Sequence, residues 1–328
     1  MLTVAMLINA VLVAAALGCS TTSQSLIAFS SDRDGNREVY TVDPSTGDER
    51  NLTESIGDEF APTLSPDGKL VAFLSSSGED VGIEVIEASG EGRQRKRITG
   101  GPGRYGSQQW APDGSRLAYI HAEVGGQPAI YIGGIEGKSP LLLTKIRADE
   151  VSSWSPNGKS VAFSVREGET QGVYTRNPDG VNEFRLTETS DSSPIWSPDS
   201  KRFAFISVRD GNPEIYIMNV DGTEQRRLTE TDAPEYDLSW SPNGESLMFV
   251  TGLDSLAEIW ITDPDAAGHI RLTHNEVRDD QPVWSPNGKQ IAFVSYLDGD
   301  AEIFLMGSNG GEQTRLTNNE GDDTSPSW

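Results

Sequence analysis

Seven copies of one short pattern set the limits on how this chain can fold. The clearest copy is Trp284-Ser285-Pro286-Asn287-Gly288-Lys289-Gln290-Ile291-Ala292-Phe293-Val294-Ser295. Its centre predicts a β-hairpin. Pro286 presets φ for the first corner of a type I turn, Asn287 tolerates the second, and Gly288 takes the left-handed conformation that leads into the next strand. The Trp position recurs as Leu64, Trp110, Trp154, Trp196, Trp240, Trp284 and Trp328, so that consecutive copies lie 42 to 46 residues apart. A period of that size with four short β segments per unit predicts propeller blades. No unit shows the 3.6-residue apolar pattern of a helical solenoid.

Each unit divides into strands A to D. Strand B centres on Ala28-Phe29, Ala72-Phe73, Ala118-Tyr119, Ala162-Phe163, Ala204-Phe205, Met248-Phe249 and Ala292-Phe293. Apolar residues on both faces are expected where a blade is covered by neighbours on both sides, and the small-then-large pair suits a tapered space. Strand C repeats as Glu38-Val39-Tyr40 through Glu302-Ile303-Phe304, and strand D ends in Leu-Thr or Ile-Thr, often with Arg in front, as in Arg227-Leu228-Thr229. Charge on an outermost strand predicts protection of a free sheet edge. The first copy begins at strand B, with Ile27-Ala28-Phe29, and the last ends at strand A, with Thr324-Ser325-Pro326-Ser327-Trp328. The count therefore predicts an all-β, seven-bladed β-propeller of four-stranded antiparallel blades, closed by pairing the C-terminal strand with the first. Six blades are the alternative.

The charge of −24 repels phosphate backbones and anionic lipid, which excludes nucleic acid as the expected partner. One cysteine rules out a disulfide framework, but its place is informative. Residues 1–18 form an uncharged apolar run, and Cys19 follows in Ala16-Leu17-Gly18-Cys19. This resembles the lipobox of bacterial lipoproteins, in which Cys is acylated after cleavage; an uncleaved anchor or an ordinary signal is the alternative. Residues 1–18 are read as a signal peptide of lipoprotein type, 19–25 as a tether and 26–328 as a single propeller.

The repeat Asp-x-x-Pro-x-Trp-Ser-Pro-Asn-Gly-Lys-x-Ile-Ala-Phe-x-Ser, followed by Glu-Ile-Tyr and Arg-Leu-Thr, resembles that of the TolB-like propellers over about residues 26 to 328. The resemblance implies a monomeric binding or scaffold module without catalytic activity. It implies a periplasmic or outer-surface place in a bacterial envelope, and an envelope protein partner, a Pal-like protein being one candidate. Membrane contact is expected through the lipid anchor alone. Two departures stand out: the family's namesake carries an α/β domain ahead of six blades, and here a tether precedes seven. Similar propellers occur in prolyl-oligopeptidase-like peptidases and in oligogalacturonate lyase, so the alternative function is a carboxylate- or metal-assisted enzyme acting on polysaccharide or peptide at the tunnel mouth.

No Gly-x-Ser-x-Gly elbow is present, and the three histidines, His121, His269 and His274, fall in places that cannot converge on one cation, which makes them surface residues. The segment Asp32-Arg33-Asp34-Gly35-Asn36-Arg37-Glu38 resembles a calcium loop, but its Gly comes too early for an EF-hand, and a B-to-C turn explains it. Arg93-Gln94-Arg95-Lys96-Arg97 reads as edge protection. The remaining candidate is a ring. Five residues before each Trp position stand Glu59, Tyr105, Asp149, Asp191, Glu235, Asp279 and Asp323, acidic in six units. Turn capping accounts for such acids singly. As a set, Glu59, Asp149, Asp191, Glu235, Asp279 and Asp323 are expected around one mouth of the tunnel, where they would receive a cation such as Ca2+ or a basic segment of a partner. No other cofactor is expected.

Overall fold

The computed structural model describes residues 25–328, apart from residues 93, 138, 145, 167, 254, 255, 266, 267 and 298. The expected signal segment and Cys19 therefore lie outside the described residues. Among the described residues, twenty-eight strands, numbered β1–β28 in chain order, form seven four-stranded antiparallel sheets. Blade 1 is assembled from both ends of the chain: β28 (Asp323–Ser327) pairs with β1 (Ile27–Ser31), followed by β2 (Glu38–Val42) and β3 (Glu49–Asn51). The other blades follow in order, blade 2 over 58–101, blade 3 over 104–142, blade 4 over 150–185, blade 5 over 191–227, blade 6 over 235–271 and blade 7 over 279–315. Strand A of every blade packs against strand A of both neighbours, so the seven A strands enclose the central tunnel. The molecule is a seven-bladed propeller closed by β28, and the six-blade alternative is excluded.

The repeated turn behaves as its residues dictate. In blade 4 the Gly158 amide donates to the Ser155 carbonyl at 2.8 Å and the Lys159 amide to Asn157 Oδ1 at 2.9 Å, while Gly158 takes φ +69°. Blade 5 lacks the glycine, and Ser200 adopts φ +60° in its place.

Packing between blades uses the small-large pair. Ala28 of blade 1 lies against Phe73 of blade 2, Ala118 of blade 3 against Phe163 of blade 4, and Ala162 of blade 4 against Phe205 of blade 5, each in one buried cluster. Met248 occupies the alanine position of blade 6 and is fully buried against blade 7. The tryptophans add a polar stitch. The indole N–H of Trp110 donates to the Thr63 carbonyl, that of Trp154 to Gln109 and that of Trp240 to Ile195, in each case to the residue before the Trp position of the preceding blade.

Two features correct the sequence reading. The arginine ahead of Leu-Thr does more than guard an edge: Arg227 bonds Glu214, Arg271 bonds Glu258 and Arg315 bonds Glu302, joining strand D to the start of strand C. A buried carboxylate needs such a partner, which is why Glu opens strand C in these blades. Strand A also carries an unpredicted bulge. Three residues before the Trp position, Ala61, Ser107, Ser193, Asp237, Gln281 and Ser325 all have φ near +50°, and the A–B register shifts there. The bulge twists the inner strand beside the tunnel.

Candidate functional site

Antiparallel pairing places the B–C loops and the D–A connections on one face of the ring, and strand A begins there. The acids of the expected ring lie under this face. Glu59, Asp191, Glu235, Asp279 and Asp323 are buried and Asp149 is half-buried, so the structure differs from the picture of carboxylates lining an open mouth. Each is engaged within the chain. Four residues upstream, a side chain of the D–A connection donates to the acid: Ser55 to Glu59, Thr231 to Glu235, Asn275 to Asp279 and Asn319 to Asp323. Asp149 instead pairs with Arg147 and accepts from the Arg166 amide. Tyr105, at the seventh position, stacks on His121 with centroids 4.2 Å apart.

Three blades add a guanidinium to this arrangement. Arg33 and Arg209 reach from the B–C loops of blades 1 and 5 to Asp323 and Asp191 at 2.7 and 2.9 Å. In blade 2 the same place is taken by Arg95, coming from the start of strand D, which donates to Glu59 at 2.9 Å. Each guanidinium also lies over the strand-B aromatic, Phe29, Phe205 or Phe73, at 5.7, 5.7 and 5.3 Å. Cation and ring face attract, and partial desolvation strengthens both that contact and the ion pair. Arg95 is thus an interior ligand, which corrects the edge-protection reading for that residue. The Asp32–Glu38 segment is the B–C turn of blade 1: Asp32 accepts from the Asp322 amide and Asp34 from the Tyr40 hydroxyl, so its carboxylates are occupied by the fold.

Blade 6 departs from this pattern. Glu235 accepts from Thr229, Thr231 and the Ile215 amide, and no cation pairs with it among the described residues. Burial pushes its carboxyl up to about 7; the hydroxyl of Thr229 opposes the shift and the charge of Glu214 adds to it. Asp280, whose burial outweighs its pairing with Arg278, is raised to about 6. Between the unfolded carboxylate range near pH 4.5 and these folded values, the native state keeps protons that the unfolded chain has released. Stability is therefore expected to fall as pH rises from about 4.5 to 7 and then to level off. Urea midpoints at pH 5 and 8 check this, and Glu235→Gln should shrink the fall by about 2 kcal/mol.

Beside the 231–233 connection the face opens into a pocket of about 450 Å³ lined by Phe249, Thr251, Trp260, His269 and Arg271, among others. His269 meets Phe249 edge-on with centroids 6.0 Å apart, and its Nδ1 is buried without a hydrogen-bond partner. His269 and His121 are half-buried, each with one ring nitrogen enclosed, whereas His274 is exposed. One signal in the sequence could have found the pocket: the arginine two residues beyond Ser31 and Ser207 is replaced, two beyond Thr251, by Leu253.

This architecture, a closed seven-bladed ring with one loop face anchored on buried acids, defines a β-propeller domain. The TolB beta propeller domain model matches residues 18–191 and 187–296, and the chain belongs to that family. It is 28% identical over 174 residues, 51% of this chain and 40% of the relative, to the Tol-Pal system protein TolB of Francisella tularensis subsp. tularensis. The match thus spans well under half the length of that relative. The crystal structure of TolB from Acinetobacter baumannii superposes with TM-score 0.63 at 19% identity, covering 93% of this chain and 66% of that one. An oligogalacturonate lyase in complex with manganese gives TM-score 0.71 at 16% identity, covering 86% and 85%. At such identities the likeness is one of fold.

Proposed function

We propose that the chain is a non-catalytic scaffold of a bacterial envelope that presents its B–C and D–A loop face to a protein partner. The observation that carries this reading is the anchoring of that face: in blade after blade a buried acid ties the D–A connection, and in three blades an arginine ties a second segment to the same acid. Loops fixed in this way lose little freedom on binding, which favours recognition of a preformed surface. The ring of Glu59, Asp149, Asp191, Glu235, Asp279 and Asp323 serves the face by positioning its loops. Family membership supports an envelope location, and the Tol-Pal name of the relatives makes a Pal-like protein the partner to test first. Acylation of Cys19 would hold the chain at the membrane, with the propeller monomeric in solution. Among the described residues no group of three His, Cys, Asp or Glu side chains could hold a metal ion, which weighs against the metal-assisted form of the enzyme alternative.

The test is recovery of envelope proteins by the tagged full chain, with charge reversals on either face. Asp232→Lys/Glu276→Lys alters exposed positions on the loop face, and Glu245→Lys alters an exposed A–B turn on the opposite one. A partner lost with the first and kept with the second is expected; equal retention by both would falsify the reading. Loss of envelope fractionation in Cys19→Ser is the expected result for the anchor.

A further inference from the structure

Blades 1 and 5 show what a filled version of the blade 6 pocket looks like. In blade 1 the Arg33 guanidinium lies over Phe29 and over Tyr40, 4.5 Å from the latter's centroid, and its Nε donates to Ser31 Oγ at 2.8 Å while its two Nη atoms reach Asp323 and Glu49. Blade 5 repeats this with Arg209 over Phe205 and Tyr216, Nε on Ser207 Oγ at 2.8 Å, and the Nη atoms on Asp191 and Gln225. Four environments therefore surround each guanidinium: two aromatic rings from strands B and C, a hydroxyl at the end of strand B, an acid at the start of strand A, and an acceptor at the start of strand D.

Blade 6 keeps the two rings, the hydroxyl and an acceptor on strand D and lacks the arginine; its strand-A acid, Glu235, is bonded to Thr229, Thr231 and the Ile215 amide and does not line the pocket. Strand register puts Phe249 opposite Trp260 and Thr251 opposite Glu235, as Phe205 stands opposite Tyr216 and Ser207 opposite Asp191. His269 opens strand D, two residues before Arg271, as Gln225 stands two before Arg227. His269 lines the pocket, and burial lowers the pKa of this imidazole, favouring the neutral ring that keeps one nitrogen as an acceptor. Leu253, at the arginine position, is 65% exposed and turns away from the space that Arg209 fills in blade 5. Arg271 lines the pocket but is bonded to Glu258, also at its wall, as its counterpart Arg227 is bonded to Glu214 in blade 5 while Arg209 is also present. Blade 7 also carries Leu297 at the arginine position, with Phe304 in place of Trp260 and a glutamine, Gln313, where blade 5 has Gln225.

We infer that the blade 6 pocket is a receptor for a guanidinium group supplied from outside the chain, held over the faces of Phe249 and Trp260 with Thr251 and His269 as hydrogen-bond acceptors. A planar cation fits this setting better than an ammonium, because the fork of N–H donors matches acceptors placed on different strands and its faces match the rings. The group can arrive on a free small molecule or on an arginine side chain of a partner. The second source rests on the scaffold reading above; the first does not.

The experiment titrates the full chain with argininamide, with an acetyl-Gly-Arg-Gly-amide peptide and with its lysine counterpart, by calorimetry and by Trp fluorescence. Saturable binding of argininamide with Kd near or below about 1 mM is expected, with the lysine peptide at least about tenfold weaker. Leu253→Arg, at an exposed position, should occupy the pocket from within as Arg209 does and weaken argininamide binding more than about tenfold. His269→Phe keeps the ring, removes the acceptor, and should weaken it less. Binding of both arginine ligands supports a protein side chain as the source, and binding of argininamide alone supports a small molecule. Absence of saturable argininamide binding, or binding unchanged in Leu253→Arg, overturns the proposal; partner recovery on the loop face would then still stand or fall by its own test.

Discussion

Removal of residues 323–328 is expected to unfold most of the protein at room temperature or to drive it into oligomers, the largest effect anticipated for any single alteration. The segment supplies β28, the inner strand of blade 1, which pairs with β1 and packs between strand A of blade 2 and strand A of blade 7. Without it β1 becomes a free edge. The stitches on both sides go too: Ser327 Oγ accepts from the Leu64 amide at 2.9 Å, and the Ser325 amide donates to Gln281 Oε1 at 2.7 Å. Arg33 loses Asp323, and Trp328 leaves the cluster that contains Ile27, Phe29 and Ile303. Each apolar side chain laid open costs about 1.5–3 kcal/mol, so a few of them offset the 5–15 kcal/mol by which a typical domain is stable. Urea unfolding and light scattering check this. A deleted chain that remains monomeric with the parent's midpoint would show that the ring does not depend on its closing strand.

The fold was legible because the repeat states it seven times. The Ser-Pro-Asn-Gly turn, the Ala-Phe pair and the truncated first and last units identify hairpins, buried strands and closure from local chemistry alone. The site was less so, for a physical reason. Acids five residues before the Trp position are visible as a pattern, but a pattern of charge does not say whether a carboxylate faces water or an arginine. Arg33 and Arg209 lie in B–C loops 290 and 18 positions away from Asp323 and Asp191, and Arg95 reaches Glu59 from another strand altogether, so the pairing appears only when strands are in register. The bulge of strand A was also hidden. Ala61, Ser193 and Asp237 share no residue type that demands a positive φ; the conformation is imposed by strand pairing around the tunnel. The partial enclosure of His269 was hidden because the ring that walls it, Phe249, comes from strand B of the same blade and meets it only once the strands are in register.

Arg209→Leu is expected to cost about 3–5 kcal/mol, more than an ordinary surface arginine by severalfold, because it strands a buried charge. Asp191 is fully buried and Arg209 is its cationic partner, with Thr189 Oγ1 as a further donor. The substitution also removes the guanidinium from above Tyr216 and Phe205, and copies the arrangement that blade 6 has with Leu253. Asp191→Asn in the same background removes the stranded charge, so the double variant should be more stable than Arg209→Leu by about 2 kcal/mol, a coupling that a double-mutant cycle in urea isolates. Simple loss of packing predicts the opposite, since a second substitution at a buried site would add its own cost to the first. Millimolar argininamide offers a further discriminant: it should raise the urea midpoint of Arg209→Leu by occupying the emptied slot, and leave that of the Arg209→Leu/Asp191→Asn variant nearly unmoved, because the ligand then gains no anionic partner. Additive costs in the cycle, with no midpoint shift in either variant, would mean that the arginine contributes hydrocarbon and not charge, and that the acids under the loop face are held by their hydroxyl and amide donors alone.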